Sequence, residues 1–162
     1  MDTSDGLHLS QSTYDADILN RVGMSDCKPI ESPIPSKTFS VSDCPLASAE
    51  AEHFRHLVGS LQYLIITRPD IAYTVNKFCQ HMHPPLGDDF KLLKRLIHYI
   101  KGALSFGIPI FPGLLELTAY FDSDRAGDPT YHKSTSGYYA FLGETLISWF
   151  VKKQIIVARS ST

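Results

Sequence analysis

Apolar positions recur every three or four residues through the first two thirds of the chain and every second residue through the last third. The change of period falls near Phe106 and divides a helical stretch from a β-rich one. Gly6-Leu-His-Leu9 reads as a short strand, for which nothing earlier in the chain supplies a partner. Ser10 then caps a helix from about Gln11 to Val22, with Tyr14, Ile18 and Val22 on one face and Gly23 as its stop. Pro29, Pro33, Pro35 and Pro45 mark residues 25–48 as an extended connector. Three helices follow over 49–103. Their stripes are Phe54, Leu57, Val58, Leu61 and Leu64; Ile71, Ala72, Val75, Phe78, Cys79 and Met82; and Leu92, Leu93, Leu96, Ile97 and Ile100. Pro69 suits the first turn of the second helix, Pro84-Pro85 ends it, and Asp88 is the expected N-cap of the third. Short connections between them favour compact antiparallel packing.

Beyond Phe106, strands are expected at Phe106–Phe111, Leu115–Phe121, Gly137–Leu142 and Leu146–Phe150, with tight turns at Pro112-Gly113 and Gly143-Glu144. Ile155–Val157 is one more strand or a lead-in. The strand through Phe121 delivers Asp122 and Asp124 at its end. Residues two apart on an extended chain share a face, so both carboxylates could converge on a divalent cation, which favours hard oxygen ligands. The same Asp-x-Asp beside Gly127 and Pro129 also reads as the start of a turn.

The third helix carries a second pattern. Lys91, Lys94, Arg95, His98 and Lys101 repeat at three and four, so they share a face away from the apolar stripe. Such a face can track a phosphate backbone, or simply be solvated. His53 and His56, and His81 and His83, have no third ligand at a spacing suited to zinc.

Charge sharpens this division. The 162 residues carry a net charge of −2, which is no basic signature for the whole chain. Residues 1–52 hold nine acids and three bases, whereas 53–162 hold eight acids and twelve bases. An acidic lead-in beside a basic remainder fits a phosphate-facing part. Cys27, Cys44 and Cys79 show no Cys-x-x-Cys pairing, and an odd count behind a polar, acidic N-terminus unlike a secretory leader argues for a reducing, intracellular compartment, cytoplasmic or nuclear. No apolar run approaches the length that spans a bilayer, so no membrane partner is expected.

Several segments carry a resemblance. Gly6-Leu-His-Leu-Ser-Gln11, Gly23-Met-Ser-Asp-Cys-Lys-Pro29, Leu57-Val-Gly-Ser-Leu-Gln-Tyr-Leu64, Thr67-Arg-Pro-Asp-Ile-Ala-Tyr73 and Lys94-Arg95 resemble the polymerase polyprotein of copia-type LTR retrotransposons. So do Tyr99-Ile-Lys-Gly102, Ser134-Thr-Ser-Gly-Tyr138, Leu146-Ile-Ser-Trp149, Lys152-Lys-Gln154 and Val157-Ala-Arg-Ser-Ser-Thr162. The resemblance implies an α+β chain: a helical thumb/connection-like segment followed by an incomplete ribonuclease H-like antiparallel sheet. It implies four segments: 1–24 as the end of the reverse transcriptase palm, 25–48 as connector, 49–105 as thumb and connection helices, and 106–162 as truncated ribonuclease H. Asp122 matches the first metal-binding aspartate of ribonuclease H, here a vestigial catalytic position, and Asp124 matches its neighbour, a second candidate metal contact. The implied cofactor is Mg2+, bound by the parent family and not held tightly here. The implied partner is an RNA–DNA hybrid or template–primer duplex, met by Lys91, Lys94, Arg95, Lys101, Lys152 and Lys153.

Departures from the family pattern weaken the catalytic expectation. Arg125 stands where the family has Trp, His132-Lys133 where it has two arginines, and Phe150-Val151 where it has two serines. The next catalytic carboxylate is expected just after Thr162, and the paired polymerase aspartates before Met1, so the chain reads as a fragment cut at both ends. A two-metal site needs several carboxylates to hold its cations. A catalytically incomplete remnant is therefore expected, with exposed Tyr139, Phe141, Ile147 and Trp149 open to self-association. Two other readings are a non-catalytic nucleic-acid-binding module and a metal-dependent phosphatase built on the Asp-x-Asp strand. Against the phosphatase stands Ala126, where Thr or Val would be expected.

Overall fold

The computed structural model describes residues 2–3, 6–35, 44–124 and 133–154. The elements are strands β1 (Asp2–Thr3) and β2 (Gly6–Leu9), helices α1 (Ser12–Arg21) and α2 (Ser48–Leu64), and a 3-10 turn at Pro69–Ile71 leading into α3 (Ala72–Gln80). Helix α4 (Gly87–Gly102) follows, then strands β3 (Ile108–Ile110), β4 (Leu117–Ser123), β5 (Thr135–Leu142) and β6 (Thr145–Lys153). The described residues thus form four α-helices and two small antiparallel sheets, an α+β chain. It divides into two compact units, a helical one over 10–107 and a sheet unit over 1–9 and 108–162. The expected first segment, 1–24, is split by this boundary: its strand falls in one unit and its helix in the other. No described helix is long and apolar enough to cross a membrane.

The helical unit is organised by the expected stripes. Phe54, Val58, Leu61 and Leu64 of α2, Ile71, Val75 and Phe78 around α3, and Leu93, Leu96, Ile97 and Ile100 of α4 are buried together with Ile18 and Leu19 of α1. Phe54 and Phe78 meet edge to face at 5.8 Å, the geometry that ring quadrupoles favour. Burying side chains of this size contributes about 1.5–3 kcal/mol each, so this cluster is what holds the unit.

Local signals differ from expectation in instructive ways. The N-cap of α1 is Gln11, and no side chain caps it. At the other end Gly23 adopts φ +65°, the left-handed geometry a helix stop requires. Asp89, not Asp88, serves the start of α4: its carboxylate accepts the Leu86 N–H at 2.8 Å, while Asp88 pairs with Lys91. The connector is not free where it is described. Ile30 N–H donates to the His98 carbonyl, the His98 ring donates to the Lys28 carbonyl, and Pro29 lies against Gly102. At its far end Leu46 N–H donates to Pro85, and Gly87 N–H to Cys44. Proline removes a donor, yet its neighbours still find partners on α4 and its approach.

The sheet unit holds both three-stranded sheets, in orders β1-β2-β3 and β4-β5-β6. The strand Gly6–Leu9 has two partners: β1 just before it, and β3, which arrives about a hundred residues later. The pairing with β1 corrects the expectation that nothing earlier in the chain supplies a partner, and β3 lay beyond the reach of local pattern. Gly6 permits the close approach, since a Cβ there would stand 2.3 Å from the Ile110 carbonyl oxygen. Because β3 is taken by β2, Pro112-Gly113 does not close a hairpin to β4, and residues 111–116 are irregular. Gly143-Glu144 does make the tight turn between β5 and β6, with Gly143 at φ +58°. Ile155–Val157 lies outside the described residues.

Candidate functional site

Strand β4 ends at Ser123, one residue short of Asp124. Asp122 is exposed, opposite Gly137 in the register, and its carboxylate accepts the adjacent Ser123 N–H at 2.9 Å. Asp124 is turned to a different task. Its backbone N–H donates to the Thr135 carbonyl at 3.0 Å, and its carboxylate accepts the Thr135 N–H at 2.6 Å. It closes the end of the β4–β5 ladder by a side-chain bond across to the facing strand. One carboxylate on the open face and one engaged with backbone do not fit a two-metal centre. Among the described residues no group of three or more His, Cys, Asp or Glu could hold a metal ion. Residues 125–132 and 155–162, which include Arg125, Ala126, His132 and the terminal Val157–Thr162 run, lie outside the described residues.

The basic positions fall into two groups. Lys91, Lys94, Arg95 and Lys101 lie on α4 in the helical unit, and Lys152 and Lys153 end β6 in the sheet unit. Lys91 and Lys94 are exposed, whereas Arg95 and Lys101 are half-buried. Lys91 is paired with Asp88 at 2.8 Å, and Lys94 sits 4.8 Å from the centre of the Phe90 ring. The Arg95 Nε is buried without a partner. His98 of this face is tied to the Lys28 carbonyl, so the connector covers part of it. Lys152 and Lys153 point to opposite faces, as neighbours on a strand must.

The most developed polar constellation was not legible as such. Arg68 is fully buried and reaches three elements. Its guanidinium pairs with Asp70 at 2.8 Å and with the buried Asp15 of α1 at 3.3 Å, and it donates to the Ala103 carbonyl at 3.1 Å. Tyr99 donates to Asp70 at 2.9 Å, and the guanidinium carbon lies 5.9 Å from the Tyr99 ring centre and 5.5 Å from that of Phe106. Burial pushes Asp15 up to about 6, against the opposing pull of Arg68. Burial and the neighbouring Asp70 carboxylate push the Tyr99 hydroxyl up to about 12. Burial works against the charge on Arg68, yet Asp70 and Asp15 hold its pKa above the ordinary value. One Asp15 oxygen has no partner. A planar, permanently charged fork suits this role, and a buried pair of this kind orders elements more than it stabilises them. The available signal was Asp15 sharing a helical face with Ile18 and Leu19, at three and four residues' spacing.

The adjacent acids Asp88-Asp89 also have structural partners. Asp89 is buried and held by the Leu86 N–H and the His81 ring at 2.7 Å, and Asp88 by Lys91.

Known proteins similar to this chain agree along almost all of it. An uncharacterized mitochondrial protein of Arabidopsis thaliana is 48% identical over 97% of this chain. Retrovirus-related Pol polyproteins from transposons RE2 and RE1 of the same plant are 43% and 45% identical, again over 97% of it. The chain belongs to the Pol polyprotein family of copia-type retrotransposons. It spans 65% of the length of the mitochondrial protein and 11% of each of these two Pol polyproteins. No family model and no solved structure matches the chain.

Proposed function

We propose that this copia-type Pol segment joins the end of a reverse transcriptase to the start of a ribonuclease H, and that by itself it binds nucleic acid without cutting or copying it. The collinear identity of 43% to 45% with two Pol polyproteins carries the reading. Helices α2 to α4 take the thumb and connection part, and β4 to β6 the opening strands of a ribonuclease H-like sheet, with Asp122 at the position of its first metal-binding carboxylate. Mg2+ would belong to the complete site of the parent. Here Asp122 has Asp124 beside it in sequence, and that carboxylate is engaged with the Thr135 N–H.

The cations of α4, with Lys91 and Lys94 exposed and Lys101 half-buried, supply the contact with an RNA–DNA hybrid or template–primer duplex. Each phosphate neutralised releases counterions, so affinity must fall steeply with salt. Titration of a labelled hybrid with the full chain at rising salt tests this. A slope of roughly 0.9 per contacted phosphate is expected, reduced when Lys91, Lys94 and Lys101 are changed to Gln. Salt-insensitive binding, or none at low salt, would leave the basic face as a solubilising surface. Hydrolysis of the hybrid with Mg2+ by the purified chain, lost in Asp122→Asn, would overturn the non-catalytic reading.

A further inference from the structure

Residues 111–116, between β3 and β4, run beside the turn that joins β5 to β6 and wall a cavity with it. The segment is fastened at both ends. At one end the Phe111 N–H donates to the Thr145 hydroxyl at 2.9 Å, and that hydroxyl donates to the Phe111 carbonyl at 3.4 Å. At the other end the Gly143 N–H donates to the Glu116 carbonyl at 2.8 Å. Gly143 lets the two stretches come together, since a Cβ there would stand 2.7 Å from the Leu114 carbonyl oxygen. Between these anchors the backbone groups of Gly113, Leu114 and Leu115 have no partner among the described residues.

The cavity measures about 720 Å³, a size typical of ligand pockets. Its apolar lining is open. Leu114 and Leu115 are 80% and 84% exposed, and Ile110, Phe111 and Ile147 are each more than a third exposed. A single exposed leucine needs no account, but five large apolar side chains around one cavity mark a binding surface. The charge there has one sign. Glu116 and Glu144 are the charged side chains among its described lining residues, and no described cation pairs with either. A phosphate or carboxylate is repelled from such a site, and a cation is drawn to it.

We propose that this cavity binds a short extended peptide whose apolar side chains precede a lysine or arginine. The apolar side chains enter beside Leu114, Leu115 and Ile147, and the cation meets Glu116 and Glu144. The open backbone of 113–115 selects a peptide over a simple apolar amine, because it offers donors and acceptors that only another main chain matches in series. Main-chain hydrogen bonds give such complexes affinity, and side-chain pockets give specificity. The two carboxylates disfavour nucleic acid, so this site is independent of the α4 cations.

Fluorescence anisotropy of the full chain tests this with a dye-labelled Gly-Leu-Val-Leu-Lys-Lys-Gly peptide and a counterpart carrying Glu in place of both Lys. The parent should bind the basic peptide roughly tenfold more tightly at low salt, a preference that shrinks as salt screens the exposed charges. Joint Glu116→Lys and Glu144→Lys exchange should reverse the preference. Joint Leu114→Ser and Leu115→Ser exchange should weaken both peptides at least tenfold. All four positions are exposed, so the far-ultraviolet spectrum should not change. No binding of the basic peptide, equal affinity for the two peptides, or a preference unmoved by the Glu→Lys exchange would overturn the proposal. Hexylamine that binds as tightly as the basic peptide would overturn it too, and would leave the cavity to small apolar amines.

Discussion

The two units solve the same problem with opposite success. In the helical unit, apolar stripes from four helices converge, and even an arginine is removed from water with partners for its guanidinium. In the sheet unit, strands just as apolar stay open: Leu117 and Phe121 are mostly exposed, and Tyr139, Ile147 and Phe150 are at least two-fifths exposed. The difference is one of layers. A helix stripe closes on neighbouring stripes, whereas a sheet has two faces, and each face that carries apolar side chains needs a second layer. The described residues of the sheet unit provide six strands in two three-stranded sheets and no helix. Apolar periodicity says that a face requires cover; it does not say that the same stretch of chain supplies it.

The sharpest way to break the contrast is Arg68→Met. It fills similar space yet leaves Asp15 and Asp70 without their cation inside the helical unit. Removing one partner of a buried ion pair typically costs about 3–5 kcal/mol. Urea unfolding followed by far-ultraviolet circular dichroism should show that loss. A change below about 1 kcal/mol, the range of surface pairs, would mean the network is more hydrated than its geometry indicates.

A matched pair of truncations measures the contrast directly. Phe54→Ala in the helical core should cost about 3–5 kcal/mol, as large-to-small core changes do. Phe121→Ala on β4 should stay within about 0.5 kcal/mol in dilute solution, as surface changes do. Equal costs would show that the sheet is covered after all.

The helical unit was largely legible because its signals are local. The stripes from Phe54 to Leu64 and from Leu92 to Ile100 are each written within a few turns, and Pro69 marks a helix start by its own chemistry. Beyond single caps and the short β1, what escaped was non-local. The strand at Gly6 pairs across a hundred residues with Ile108–Ile110, and no period in the sequence announces that. Arg68 and Asp70 stand in one motif, but nothing local joins Arg68 to Asp15, which lies 53 residues away in sequence. The carboxylate pair shows a third limit. The spacing of Asp122 and Asp124 is compatible with shared ligation only while the strand persists, and it stops at Ser123.

Protonation of Asp15 tests whether the helical core tolerates its charge. The folded-state pKa of about 6 lies above the ordinary 3.8, so the folded chain takes up a proton that the unfolded chain does not. The contribution is fully present below 3.8 and is lost as pH rises through about 6. Between pH 7 and pH 4 the parent should therefore gain stability relative to Asp15→Asn, by on the order of 2–3 kcal/mol at 1.36 kcal/mol per unit of pKa. Parallel pH profiles for the two chains would show Asp15 ionised without penalty.

The smallest effect separates the two candidate ligands from each other. Asp124 accepts the Thr135 N–H at 2.6 Å and so fastens the strand end, whereas Asp122 bonds only the N–H of its own neighbour among the described contacts. Asp124→Ala should expose that N–H and cost about 0.5–1.5 kcal/mol, the net worth of a typical hydrogen bond. It should also speed amide exchange at Thr135. Asp122→Ala should leave both unchanged. Hydrogen exchange read residue by residue distinguishes them, since a carboxylate that fastens a ladder protects an identifiable amide, while one that waits for a cation protects none. Equal protection at Thr135 in both variants would remove Asp124 from its structural role and return it to Asp122 as a candidate co-ligand.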